Sequence, residues 1–347
     1  MSENRQLATI EKIVEVAPIP DAEHIERVRV RGWDVVAKKG TFKPNDPCVY
    51  FEIDSLLDVE DERFAFLAAR GVRTDATGRK GHVLKTAKLR GQYSQGLALP
   101  LAEFPEAEGR PHGSDLTETL GVVKWEPPIP ASLAGAIRGQ RPGWIRATDE
   151  ERIQNIPYII DEALEYDWFA TEKIDGTSET IYVDQNGLEG VCSRNLDLLP
   201  AEGNTLWKLA REYDIHRRII EQWPGKPVAV QGEAYGEGIQ ANPLKIKGQR
   251  FAAFTLYVEG RELPVREWPS WLLDIAVPAY PYRVFPQSVE DAVQTTDGIK
   301  SLINRQVKAE GIVWRVYDTA TITLRDGRRE RASFKVISNS YLLKHDT

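Results

Sequence analysis

The chain has 347 residues, 41% apolar and 28% charged, with a formal net charge of −7. That profile belongs to a soluble globular protein with room for two ordinary domains, and it argues against a protein that holds nucleic acid by total charge alone. No run of about 18 apolar residues is present, so no membrane span is expected. The N-terminal MSENRQLATIEK lacks the apolar stretch of a secretory signal, which makes the cytoplasm the expected location. The only cysteines, Cys48 and Cys192, are far apart and outside any zinc-ligand spacing, so they are expected as reduced, buried thiols. Nothing in the sequence calls for an obligate protein partner.

Taken in chain order, residues 10–16, 24–30, 33–37 and 48–53 are rich in β-branched and aromatic side chains. They are separated by turn chemistry such as Pro18-Ile19-Pro20-Asp21, Lys39-Gly40 and Pro44-Asn45-Asp46. Short strands at that spacing predict an OB-like β-barrel over residues 1–100. Within it, Arg70, Arg73, Arg79, Lys80, Lys85, Lys88 and Arg90 are offset by the single acid Asp75. This stretch is either a solvated loop or a phosphate-contacting surface, with Arg79, Lys80, Lys85, Lys88 and Arg90 as the candidate nucleic-acid contacts. Residues 101–147 are dense in proline and glycine and read as a linker. Thr148-Asp149-Glu150-Glu151 has the pattern of a capping box and predicts a helix start.

The second domain is expected over 148–347. A strand is predicted at 168–174, and Asn186-Gly187 signals a hairpin. Leu206, Leu209, Ala210, Tyr213, Ile220 and Trp223 recur at helical spacing after the cap candidate Thr205. Strands follow at 228–235 and 250–258. A helical stretch at 289–308 leads into a strand at 311–317, and a second hairpin turns at Asp326-Gly327 and returns through 332–337. The class is α+β with largely antiparallel sheets.

Against this framework Thr171-Glu172-Lys173-Ile174-Asp175-Gly176-Thr177-Ser178 stands out. Alone it is a strand end and an Asp-Gly turn. It is followed in order by Ser193-Arg194-Asn195, by residues 232–240 (GEAYGEGIQ) and by Phe254-Thr255-Leu256-Tyr257-Val258. Glu310-Gly311-Ile312-Val313 and Ser333-Phe334-Lys335-Val336-Ile337 complete the series. The ordered series resembles the motif set of the covalent nucleotidyltransferases, the superfamily of polynucleotide ligases and mRNA capping enzymes. Ser178 stands two residues after Gly176, where DNA ligases and capping enzymes usually place arginine, and the 232–240 stretch is similar to the RNA-ligase branch. The N-terminal segments IEKIVEVAPIPDAEHIERVRVRGWDVVAKKG, YFEIDSLL, KLRGQYSQGL and LGVVKWEPP resemble the Deinococcus-type, fifth family of RNA ligases, so the likeness covers nearly the whole chain.

That resemblance implies an ATP-dependent RNA ligase with an OB-like module ahead of the transferase domain. Lys173 would attack the α-phosphorus of ATP and carry AMP, which requires its amine neutral. Lys335 would be the neighbouring cation, and Glu310, with Asp175, would hold Mg²⁺ or Mn²⁺. Phe254 would stack on adenine, Glu233 would accept from the ribose hydroxyls, and Arg194 would contact ribose or phosphate. Glu172, Asp175 and Gly176 would complete the nucleotide site. The AMP then passes to a 5′-phosphate, and a 3′-hydroxyl of RNA, or of an RNA-containing duplex, displaces it. One departure is visible: Ile337 stands where many ligases have a second lysine, leaving Lys245, Lys247 or Lys344 as candidate replacements. The alternatives kept open are a DNA ligase, a guanylyltransferase, and an RNA-binding OB protein on an inactive scaffold.

Overall fold

The computed structural model describes residues 5–75, 77–125, 136–281, 284–323 and 329–345. The chain divides into two compact units, residues 1–128, 153–158 and 342–347 in the first and residues 129–152 and 159–341 in the second.

In the first unit a five-stranded sheet runs in the order Leu97–Pro100, Pro47–Phe51, Ala8–Pro18, Ile25–Val30, Trp33–Lys38. Strand periodicity explains the selection: in IERVRV every second residue, Glu26, Val28 and Val30, faces inward. Ala8–Pro18 pairs with Pro47–Phe51 at its start and with Ile25–Val30 at its end, and a bulge between Ile13 and Glu15 separates the two halves. A bulge bends and twists its strand, which lets one strand serve both sides of a curled sheet. Trp33 is fully buried and its indole N–H donates to Asn155 Oδ1 at 2.6 Å, so it is a core residue. Cys48 is a buried free thiol, pushed by burial and by Glu11 up to about 12.

The proline- and glycine-rich stretch is more ordered than a linker. Phe104, Ala107, Leu116 and Val122 are buried in the first unit's core, and Val123–Lys124 pairs with Ser55–Leu57. Ile137–Gln140 is the edge strand of a sheet in the second unit. Composition shows where backbone is irregular, and these few apolar anchors fix it all the same.

The second unit holds two antiparallel sheets. The larger runs Ile137–Gln140, Leu196–Leu198, Glu189–Cys192, Thr177–Val183, Val228–Gly236, Gln249–Val258, Arg261–Glu262. The smaller runs Trp168–Lys173, Gly311–Val316, Ser333–Ile337. Ile181, Val191, Val230 and Leu256 pack against Leu206, Leu209, Ile215 and Ile219, so one face of the large sheet carries the apolar core. The helical stretch there is two helices, Thr205–Glu212 and Ile215–Gln222, broken at Asp214, whose φ of 55° is left-handed. Its cap is Asn204, which accepts from the amides of Leu206 and Trp207, and not Thr205.

Two other expected helices differ. Residues 148–151 form none, because the Thr148 hydroxyl bonds Ser178 Oγ and the following carboxylates bind arginines. The stretch at 289–308 is helical only over Val289–Thr296. The Asp326-Gly327 tip lies outside the described residues, and the flanking Thr321–Thr323 and Arg329–Arg331 pair as expected of a hairpin. No helix among the described residues is long and apolar enough to cross a membrane.

Candidate active site

Lys173 is the last residue of its strand, and cross-strand pairing sets it opposite Gly311, beside Glu310. Its Nζ donates to Glu310 Oε2 at 3.0 Å and to the carbonyl of Ile174 at 3.1 Å. The chain then turns through Asp175-Gly176 into Thr177–Val183. Gly176 is required there: a Cβ would lie 2.2 Å from the carbonyl oxygen of Ala234. In that strand Ser178 pairs with Glu233, which brings a second carboxylate to the turn. Asp175 is the third, and its Oδ2 accepts from the Tyr341 hydroxyl at 2.7 Å.

The electrostatics follow from this gathering of acids. Burial alone would lower the Lys173 pKa, but Glu310, Glu233 and Asp175 outweigh it and raise it above the ordinary lysine value. Burial, together with Glu310 and Asp175, pushes the Glu233 carboxyl up to about 8, against the opposing pull of Lys173. Glu310 is likewise raised by burial and by Asp175, while Lys173 and Lys335 pull it down. The free enzyme therefore keeps Lys173 as an ammonium. Lys335 acts on Glu310, helping to hold that carboxyl down against burial.

A hard divalent cation fits the crowded carboxylates, because it would relieve their mutual repulsion. Among the described residues no group of three or more His, Cys, Asp or Glu is placed to hold a metal ion.

The remaining predicted residues separate by strand face. Thr171, Lys173, Val313, Arg315 and Lys335 fall on one face of the small sheet by pairing register. Glu172, on the other face, is 2% exposed, and its Oε2 accepts from the amides of Leu302 at 2.7 Å and Ile303 at 3.4 Å. Expected at the nucleotide, that carboxylate instead fastens the turn at 301–304. Phe254 is half-buried, with the Arg315 guanidinium 5.3 Å from its ring centroid and Arg315 Nη1 donating to its carbonyl. Arg194 is held side-on by Asp149, with Nη2 2.5 and 2.6 Å from the two carboxylate oxygens. Ile337 is buried, and Lys245, Lys247 and Lys344 are exposed. Arg152, not singled out in the sequence, lies in a parallel bridge with Lys335.

Residues missed by sequence reasoning join here. Glu150 is buried and accepts from Arg315 Nη2 at 2.7 Å, Arg331 Nη1 at 3.1 Å and Ser333 Oγ. Burial alone would raise its carboxyl, but those partners hold it below the usual range. Arg331 also donates to Tyr257 and pairs with Glu262. No single-residue signal marks these groups, since their partners lie 69 to 183 positions away.

In the first unit Arg79, Lys80, Lys88 and Arg90 sit on two short hairpins, and Lys85 lies between them. Lys80 opens a strand paired with Arg73–Thr74, and Arg79 closes the turn by bonding Asp75 through its backbone. Lys88 and Arg90 flank the hairpin Ala87–Leu89 with Gln92–Ser94, and the Lys88 ammonium lies 5.0 Å from the Tyr93 ring centroid. Arg73 and Lys85 lie against the Trp125 ring at 5.1 and 5.9 Å. Cations on aromatic rings are a recurrent element of single-strand binding surfaces.

The fold and this lysine-centred cluster define a nucleotidyltransferase carrying an OB module. The RNA ligase family matches residues 166–337, and an OB-fold domain family matches residues 7–101. Solved structures of Naegleria gruberi RNA ligase are 39% identical to this chain. One, with pyrophosphate, superposes with a TM-score of 0.88 over 99% of both chains. A variant of the same enzyme with AMP and manganese gives the same values. Another, with ATP and manganese, gives 0.87 over 98% of this chain and 99% of that one. A search of curated proteins finds no match. The chain belongs to the RNA ligase family and is an ATP-dependent RNA ligase.

Proposed function

We propose that Lys173 is the adenylylated nucleophile, and that the enzyme seals 3′-hydroxyl and 5′-phosphate ends, chiefly at nicks with an RNA 3′ end, in RNA repair. The observation that carries the reading is the convergence of Lys173, Glu310, Glu233 and Asp175 from two strand ends, a turn and a strand interior. The Lys173 amine attacks the α-phosphorus of ATP, the bond to pyrophosphate breaks, and a lysyl–AMP phosphoramidate forms. The AMP passes to the RNA 5′-phosphate, and the 3′-hydroxyl displaces it in the sealing step.

A divalent cation, Mg²⁺ or Mn²⁺, would supply charge neutralisation at the phosphates and would be held by Glu310 and Asp175. Glu310, which accepts from the Lys173 ammonium here, would hold such a cation instead, and the amine would then lose its proton to solvent. Glu233 accepts from ribose, Phe254 covers the adenine, Arg194 contacts ribose or phosphate, and Lys335 neutralises phosphate charge. Arg152, whose backbone bridges Lys335, supplies the second cation in place of the lysine that Ile337 replaces. Arg79, Lys80, Lys85, Lys88 and Arg90 form the RNA-binding face of the OB unit.

Incubation with ATP labelled at the α-phosphate, in Mg²⁺ or Mn²⁺, should label the denatured wild-type chain and leave Lys173→Ala unlabelled. Label persisting on Lys173→Ala refutes the assignment of the nucleophile. Sealing an all-DNA nick as well as one with an RNA 3′ end refutes the substrate reading.

A further inference from the structure

The segment 148–151 lies along the nucleotidyltransferase site, and each of its residues bonds a residue of the motif series. Thr148 Oγ1 is 2.7 Å from Ser178 Oγ. Asp149 grips Arg194 through Nε at 3.1 Å and Nη2 at 2.5 Å. Glu150 joins Arg315, Arg331 and Ser333, and the Glu151 carbonyl accepts from the Lys335 amide at 2.7 Å. These contacts differ in permanence. The Glu150 and Arg315 side chains are 9% and 10% exposed, whereas Asp149 and Arg194 are 49% and 36% exposed. Glu150 and Glu151 therefore anchor the strap, and the Asp149–Arg194 pair is the one that water and solutes can reach.

A carboxylate on the Nε–Nη2 edge takes the fork of donors that a phosphate takes side-on. It also places a negative charge where a triphosphate must approach. We propose that Asp149 is an internal competitor for Arg194: it holds the guanidinium in the free enzyme and yields it to the nucleotide, and so sets the affinity for ATP. The proposal rests on the reading of Arg194 as a nucleotide contact. Because Thr148 and Glu150 fix the backbone on either side, the exchange needs only a rotation of the Asp149 side chain. Such rotations take picoseconds to nanoseconds at exposed positions, so the effect falls on binding and not on turnover.

The test compares wild type with Asp149→Asn, both stripped of carried AMP with pyrophosphate. Lysyl–AMP formation is followed in a single turnover over a range of ATP concentrations. The half-saturating ATP concentration should fall about two- to five-fold, the range for an exposed ion pair. The limiting rate should be unchanged, as should sealing of an RNA already adenylylated at its 5′ end. An unchanged or raised half-saturation overturns the proposal, a raised one identifying Asp149 as an aligner of Arg194. Arg194→Ala should raise the half-saturation and abolish the effect of Asp149→Asn. If Arg194→Ala alone leaves ATP saturation unmoved, the nucleotide role of Arg194 fails, and the competition fails with it. A persisting effect of Asp149→Asn in the Arg194→Ala background overturns the competition alone.

Discussion

Replacing Glu310 by glutamine removes one carboxylate 3.0 Å from the Lys173 ammonium while keeping its shape. At that separation a unit charge pair is worth about 1.4 kcal/mol in water and about 5.5 kcal/mol at an effective dielectric of 20. The Lys173 side chain is 26% exposed, which places the effect near the lower figure. The Lys173 pKa should therefore fall in Glu310→Gln, because the carboxylate that contributes most to raising it is gone. The assay is the pH dependence of Lys173 modification by an amine-selective reagent, read by peptide mass spectrometry without ATP or metal. More amine would be free at a given pH, yet adenylylation should fall by about 10²-fold or more, since a proposed ligand of the cation that neutralises transition-state charge is lost. An unchanged modification profile in Glu310→Gln would refute the claim that this carboxylate holds the lysine protonated. So would a wild-type Lys173 that titrates below ordinary lysines.

Other expectations concern neighbouring groups. Tyr341→Phe removes the hydroxyl that donates to Asp175 and should raise the Mg²⁺ concentration for half-maximal adenylylation several-fold, with little change at saturating metal; a titration with Mg²⁺ decides it. Glu150→Gln takes the carboxylate from buried Arg315, leaves Arg331 with Glu262, and should cost about 3–5 kcal/mol of stability, measurable by denaturant unfolding. Glu179 is fully buried with neither carboxylate oxygen hydrogen-bonded, and burial, reinforced by Glu233, raises its pKa well above the ordinary value. Its native state is therefore favoured fully below about pH 4.3, and stability is lost as pH rises from there toward the raised folded pKa. Unfolding curves of Glu179→Gln should lose that slope. Lys88→Ala with Arg90→Ala should weaken RNA binding more at low salt than at high salt, lowering the logarithmic salt slope by about one to two.

Much of this enzyme was legible along the chain. Alternation in IERVRV, the Asn186-Gly187 turn and Lys173-Ile174-Asp175-Gly176 each depend on neighbours a few residues apart, so period and turn chemistry located them. The motif series marked the polar residues at strand ends before any tertiary contact was known. The same local rules misplaced residues 148–151: a capping-box pattern is satisfied equally well by partners from elsewhere, and Ser178, Arg194 and Arg315 supplied them. Strand alternation also decided that Glu172 faces the 301–304 turn while Lys173 beside it faces the acids. Above all, the protonation state of Lys173 was beyond the sequence. A motif names the nucleophile, but its pKa depends on how many carboxylates come within a few ångströms. Only the pairing of Lys173 with Gly311 and of Ser178 with Glu233 brings them there.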